Sequence, residues 1–92
     1  MDPAVTSVTT RPAPASDHVE NLAARLQTTI GANVRVLRVQ EGLTQGELAE
    51  RAGITQQALS RLELGRLNIT MRTLVRLAVA MGAEVQDMLE GC

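Results

Sequence analysis

Side chains that recognise flat polar surfaces through hydrogen bonds are clustered between residues 56 and 61. This short segment contains two adjacent glutamines, a serine and an arginine: Gln56, Gln57, Ser60 and Arg61. A carboxamide places a donor beside an acceptor, which matches N6 and N7 of adenine, and a guanidinium can donate two parallel hydrogen bonds, which matches O6 and N7 of guanine. The segment therefore predicts hydrogen bonding to nucleic-acid bases rather than bond-breaking chemistry.

The residues that catalysis or a metal site would need are nearly absent. Cys92 is the only cysteine and His18 the only histidine, and they lie at opposite ends of the 92 residues. A structural zinc site needs about four such ligands, and nucleophilic catalysis needs a base beside the nucleophile. The sequence also lacks a Walker-type phosphate loop. We therefore expect neither an enzyme nor a protein that holds a metal or cofactor.

Charge is unevenly distributed along the chain. Nine arginines, with no lysine, oppose ten acidic residues and leave a net charge of -1. The segment from Arg51 to Arg76 nevertheless holds five arginines against one acid, Glu63, whereas three acids lie near the end, at Glu84, Asp87 and Glu90. Because cationic side chains bind the phosphates of a nucleic acid, the basic middle predicts such a partner although the chain as a whole does not.

Three copies of one six-residue pattern predict where helices begin in the second half. Each copy has an apolar residue, then a threonine, then a leucine four positions after the threonine, and the threonines are Thr44, Thr55 and Thr70. A threonine hydroxyl can accept hydrogen bonds from free N–H groups of the first turn, and the apolar residues that flank it can pack together. Glycines at 42, 53, 65 and 82 provide the matching helix ends. The predicted helices are 45–52, 56–64, 71–81 and 85–90.

The first 41 residues divide into an arm and a helical region. Residues 1–16 are rich in Pro, Ala, Thr and Ser and lack helical periodicity, which predicts a flexible arm. From Val19 onward, apolar residues at helical spacing form one stripe. Thr28, Thr29 and Gly31 weaken its middle, so both one long helix and two shorter helices remain open. No apolar run could span a bilayer and no signal peptide is evident, so we expect a cytoplasmic protein without membrane contact.

The predicted helices 45–52 and 56–64 are joined by only three residues, a connection that makes them cross at roughly 90 to 120°. This arrangement is a helix-turn-helix. Its motifs are Leu-Thr-Gln at 43–45, Ala-Gly-Ile-Thr-Gln-Gln at 52–57 and Leu-Glu-Leu-Gly-Arg at 62–66. Together they resemble the phage repressor and Cro (Xre-like) family over about residues 30–89.

This resemblance implies an all-α, five-helix, lambda-repressor-like domain with an extra or extended first helix. The domain would span 17–92, with the helix-turn-helix at 44–64, and its third helix would enter the major groove of DNA. Family members bind palindromic sites as dimers, so double-stranded DNA and a second copy of the chain are the expected partners. The implied function is that of a transcriptional regulator of repressor or controller type.

Roles can be assigned to residues on this basis. Base readout is expected from the four side chains at 56–61 named above. Contacts to phosphates are expected at helix starts and in the loop after the third helix, from Thr44, Gln45, Arg66, Asn68, Thr70 and Arg72. Arg38 and Glu63 are expected to form a structural ion pair, as in the family pattern. Leu64 departs from that pattern, in which a polar residue at this position contacts the DNA backbone.

The dimer surface and a second function stay open at this stage. The helical region 19–30 and the C-terminal segment 85–89 are both candidate contact surfaces, although the leucines of the first can equally pack within their own subunit. The alternative function is that of an antitoxin or adaptor of the same fold. Its main partner would be a protein such as a toxin, with DNA binding serving autoregulation.

Overall fold

The computed structural model describes residues 13–92, with side chains from Asp17 onward. This part of the chain forms five α-helices and no strand, which confirms the predicted all-α, five-helix fold. In chain order the helices are α1 (Ala13–Gln40), α2 (Gln45–Ala52), α3 (Gln56–Glu63), α4 (Met71–Met81) and α5 (Val85–Met88). None of them is long and apolar enough to cross a membrane.

The first helix is continuous, which decides between the two arrangements that the sequence allowed. α1 runs unbroken through the weak region at 28–31 and corresponds to about 42 Å of helix. It begins at Ala13, so residues 13–16 are helical and the predicted boundary of the arm at residue 16 is too late. Residues 1–12, for which the sequence predicts flexibility, lie outside the described residues.

The threonine pattern marks the starts of α2, α3 and α4 as predicted. The hydroxyls of Thr44, Thr55 and Thr70 accept hydrogen bonds from backbone N–H groups three residues later, at 3.0 to 3.1 Å. All four predicted stop glycines have positive φ, between 66 and 73°. The local capping signals therefore set the boundaries of these helices without help from the rest of the fold.

Two helices end earlier than predicted. The predicted end of α3 at Leu64 is one residue too late, because the N–H of Gly65 bonds to the carbonyl of Leu62 and closes a tight turn. α5 ends at Met88 rather than at Glu90. Here the side-chain amide of Asn33 in α1 donates to the carbonyls of Met88 and Glu90, at 2.9 and 2.7 Å, and secures the chain just after the helix.

All five helices contribute to the core, with α2 packed against α3 and α4, and α1 packed across α3 and α5. The core is wholly aliphatic and includes the fully buried side chains Val34, Leu48, Leu59, Leu62, Leu77 and Met88. By contrast, residues 17–26 of α1 are all exposed, and we call this part the stem. The packed part of α1 therefore begins near Gln27, and the stem extends beyond the body of the domain.

Candidate nucleic-acid interface

α3 has one buried face and one polar exposed face. Leu59 and Leu62 have no exposed surface and fix the helix to the core. Gln56, Gln57 and Arg61 are exposed on the helix, and Ser60 beside them is half-buried. Replacing a buried leucine by alanine costs about 2–5 kcal/mol, so the two leucines hold the orientation of this helix firmly. The amide and guanidinium groups are thus presented to solvent on a rigid element.

The turn between α2 and α3 is closed by backbone hydrogen bonds. Gly53 has φ 71° and ψ 32°, a left-handed conformation that side chains with a Cβ seldom adopt. Its N–H bonds to the carbonyls of Ala49 and Glu50, and the N–H of Ile54 also bonds to Ala49. Because Ala49 and the nearby Ala52 are small and buried, α3 can cross α2 closely, as the helix-turn-helix interpretation requires.

The start of α2 presents Thr44 and Gln45 at the same surface. Thr44 is exposed and forms a complete capping box with Glu47, whose carboxylate accepts the N–H of Thr44 at 2.9 Å. This backbone hydrogen bond, with one from the Thr44 side chain, holds the pKa of Glu47 below its ordinary value. The Nε2 of Gln45 donates to Oε1 of Glu63 at 3.0 Å, so this side chain is held against α3 rather than lying free.

Glu63 connects three helices through its carboxylate. The guanidinium of Arg38 in α1 donates Nε to Oε2 at 2.7 Å and a second N–H to Oε1 at 3.1 Å, while Gln45 in α2 adds the bond just described. The side chains of Arg38 and Glu63 are only 12 and 4% exposed. Arg38 also donates to the carbonyl of Leu43, and its hydrogen bond with Glu63 raises its pKa. The one acid in the basic middle of the chain is therefore neutralised internally.

The loop after α3 leads into α4, whose start is capped by Thr70. Arg66 and Asn68 are exposed there, and so is Arg72 in the first turn of α4. The hydroxyl of Thr70 accepts the N–H of Thr73 and also lies 3.0 Å from the Thr73 hydroxyl, so it is engaged within the helix cap. Asn68 accepts a hydrogen bond at Oδ1 from Nε2 of Gln27 in α1, at 2.6 Å.

Two contacts at this surface were not predicted from the sequence. Gln27 bonds to Asn68 across 41 residues of sequence, and Gln45 bonds to Glu63. Arg35, which the sequence analysis did not single out, is exposed and lines a hollow of about 180 Å³ together with Gln45 and Ser60. Each contact joins segments that are distant in the sequence, and the sequence carries no local signal for how these segments pack.

Exposed arginines lie in α3 and in the segments before and after it. All five arginines between residues 51 and 76 are exposed: Arg51, Arg61, Arg66, Arg72 and Arg76. The acids Glu84, Asp87 and Glu90 are exposed as well, but they lie just before, within and after α5. Between residues 51 and 76, which include α3, the chain therefore has exposed arginines and no exposed acid.

Comparisons with known proteins agree with this geometry. Residues 34–88 of the chain match the helix-turn-helix family. An HTH-type transcriptional regulator of Sinorhizobium fredii is 47% identical over 64 residues, which are 70% of this chain and 83% of that protein. The immunity repressor of Bacillus phage phi105 is 35% identical over 61 residues, 66% of this chain and 42% of the repressor.

A solved structure has the same fold. The restriction-modification controller protein C.AhdI from Aeromonas hydrophila superposes with a TM-score of 0.66 at 27% identity, over 67% of this chain and 94% of the controller. The match leaves out roughly a third of the present chain.

Proposed function

Because this chain belongs to the helix-turn-helix family of DNA-binding transcriptional regulators, we propose that it binds specific sequences in duplex DNA by inserting α3 into the major groove. The observation that carries this proposal is the exposed row of Gln56, Gln57 and Arg61 on a helix whose opposite face is anchored by buried leucines. A protein with this role acts where the DNA is, which places it in the cytoplasm.

Base recognition is assigned to the side chains on the exposed face of α3. A glutamine can bond in a bidentate manner to adenine, and an arginine to guanine, and each good pair contributes about 1–3 kcal/mol of discrimination. Ser60 is half-buried between them and suits a single hydrogen bond to a base edge. The preference for adenine and guanine contacts follows from these side-chain types.

Phosphate contacts are assigned to groups on either side of α3. The start of α2 offers the exposed Thr44 and the half-buried Gln45, and the loop and first turn of α4 offer the exposed Arg66, Asn68 and Arg72. Thr70 would contribute through the free N–H groups of the helix start, since its hydroxyl is engaged with Thr73. Such contacts fix the orientation of the protein on DNA but carry little sequence information.

A homodimer on a palindromic site is the assembly that fits this function. One reading helix covers too few base pairs to select a site in a genome, whereas two related by a two-fold axis read half-sites about 34 Å apart. Repression then requires no further chemistry, because a protein bound at a promoter obstructs the polymerase. The similarity to a phage immunity repressor and to a restriction-modification controller protein supports this regulatory class.

The antitoxin alternative would use a different surface. Val19, Leu22 and Leu26 on the stem are 59, 43 and 43% exposed, and they lie on one face of α1. A partner protein could cover them while α3 remained free to bind DNA. This function would therefore add to the DNA-binding proposal rather than replace it.

Selection of tight-binding duplexes from a random pool, followed by footprinting, tests the proposal. We expect one enriched sequence with two inverted halves whose centres lie about 10 base pairs apart. The Gln57→Ala and Arg61→Ala variants should lose the preference at particular positions and still bind duplex DNA weakly. Failure of the purified chain to bind any duplex at low salt would contradict DNA binding, whereas an enriched but asymmetric site would contradict only the dimer.

A further inference from the structure

α1 contacts the proposed DNA-binding surface through residues that precede the part matched by the family. The match begins at residue 34, whereas Gln27, Thr28 and Gly31 lie up to two turns earlier on the same helix. These residues contact the end of α3 and the loop that follows it. The contacts therefore belong to the extension of α1 and not to the matched domain.

The extension is held close to α3 by two glycines. A Cβ on Gly31 would overlap the carbonyl oxygen of Leu62 and lie 3.0 Å from that of Glu63, so the two backbones pack directly together. A Cβ on Gly65 would lie 2.8 Å from Cα of Thr28. These two close approaches prevent α1 from sliding along α3. They fix the backbone of α1 at Thr28, next to Gln27, and at Gly31, one turn after it.

Gln27 controls the orientation of the Asn68 carboxamide. Its Nε2 donates to Oδ1 of Asn68 at 2.6 Å, which engages the acceptor end of that exposed amide and leaves Nδ2 as the group available for a further hydrogen bond. A phosphate has only acceptor oxygens, so it can bond to Asn68 only through Nδ2. The hydrogen bond thus selects the one orientation of Asn68 that a DNA backbone can use.

We propose that Gln27 is a positioning residue that pre-orients Asn68 to donate to a DNA phosphate. The inference rests on the proposed function, and it goes further by giving the extension of α1 a part in DNA affinity. Pre-orientation removes the entropic cost of ordering the Asn68 amide on binding. Because a phosphate contact does not depend on base sequence, the gain in affinity should be the same for every duplex. It does not require Gln27 to touch DNA.

A double-mutant cycle on the full-length chain tests this coupling. The variants are Gln27→Ala, Asn68→Ala and the double variant, and the readout is affinity for a selected duplex and for a random duplex. We expect Asn68→Ala to weaken binding to both duplexes by roughly tenfold and Gln27→Ala by roughly threefold. In the Asn68→Ala background, Gln27→Ala should have no further effect. Melting temperatures should change little, because Asn68 is exposed and Gln27 is only half-buried.

The Gln27→Glu variant tests the orientation of the Asn68 amide more stringently. A carboxylate only accepts, so it would turn Asn68 to donate inward and present Oδ1 to the phosphate, and the loss of affinity should exceed that of Gln27→Ala. The same change in the Asn68→Ala background measures the effect of the added negative charge alone, and the difference between the two backgrounds is the orientation effect.

Three results would overturn the inference. Equal losses from Gln27→Ala with and without Asn68 would mean that Gln27 acts independently of it. A lower melting temperature with unchanged affinity would mean that the bond only joins α1 to the loop. Unchanged affinity in Asn68→Ala would mean that Asn68 contacts no phosphate. In each case the wild-type chain still binds duplex DNA, which separates these failures from failure of the proposed function.

Discussion

At the scale of single residues, Glu63 accepts hydrogen bonds from both Arg38 and Gln45 and so joins α1, α2 and α3. Its position at the end of α3 would otherwise place a negative charge beside phosphates. The bidentate pair with Arg38 neutralises that charge, and it also joins α3 to α1. Glu63 is therefore a structural residue at the centre of a proposed DNA-binding surface.

Replacing Glu63 by alanine should lower stability at least as much as it alters DNA affinity. The change leaves the guanidinium of Arg38, only 12% exposed, without its partner. Breaking such a pair costs about 3 kcal/mol. Thermal unfolding measures this loss, with Glu50→Ala as the control because it removes an exposed acid from α2. A melting temperature that is the same in Glu63→Ala and the control would contradict the structural role.

At the scale of helices, α2, α3 and α4 were predicted almost to the residue, whereas α1 was not. Threonine caps and stop glycines act within a few residues, so their effect can be seen in the sequence. The continuity of α1 depends instead on packing, because Gly31 weakens an isolated helix but permits contact with the backbone of α3. The bonds Gln27–Asn68 and Gln45–Glu63 were not predicted for the same reason, since the first joins α1 to the loop after α3 and the second joins α2 to α3.

Gly31 should therefore be intolerant of the substitution that usually stabilises a helix. Gly31→Ala forces α1 away from the carbonyls of Leu62 and Glu63, and we expect a loss of about 1–3 kcal/mol in the free energy of unfolding. Gly46→Ala in α2 is the matched control, because its Cβ would meet only the end of the Gln56 side chain at 3.4 Å. That variant should be neutral or up to about 1 kcal/mol more stable.

Denaturant unfolding of both glycine variants measures these changes. If Gly31→Ala proves as stable as Gly46→Ala, then α1 can shift without cost. The packing of Gly31 against the α3 backbone would then not be what holds Gln27 in place.

At the scale of the whole molecule, function depends on the distribution of charge rather than on its sum. The net charge is -1, but the segment from 51 to 76, which contains α3, has five exposed arginines and no exposed acid, whereas three exposed acids lie in the C-terminal segment. A chain of this composition can bind a polyanion only through the basic region. The overall net charge is therefore a poor guide to a nucleic-acid partner, whereas the position of the arginines along the chain favours one.

The salt dependence of DNA binding should report this basic region. Each phosphate contact contributes to the slope of log K against log salt concentration, so Arg66→Ala should reduce the slope by about 1 and weaken all duplexes alike. Gln57→Ala should leave the slope unchanged and weaken binding only at particular base pairs. Titrations at several salt concentrations make the comparison. A slope unaltered in Arg66→Ala would remove that residue from the phosphate contacts.

The central claim is that α3 reads base edges in the major groove, and a single-atom change in the DNA tests it directly. In a selected duplex, 7-deazaguanine replaces guanine one position at a time, which removes the N7 acceptor that faces that groove. The account predicts that one replacement weakens binding of the wild-type chain by about tenfold and has no effect on Arg61→Ala. Wild-type binding that is insensitive to replacement at every guanine, or an Arg61→Ala variant that remains equally sensitive, would contradict it.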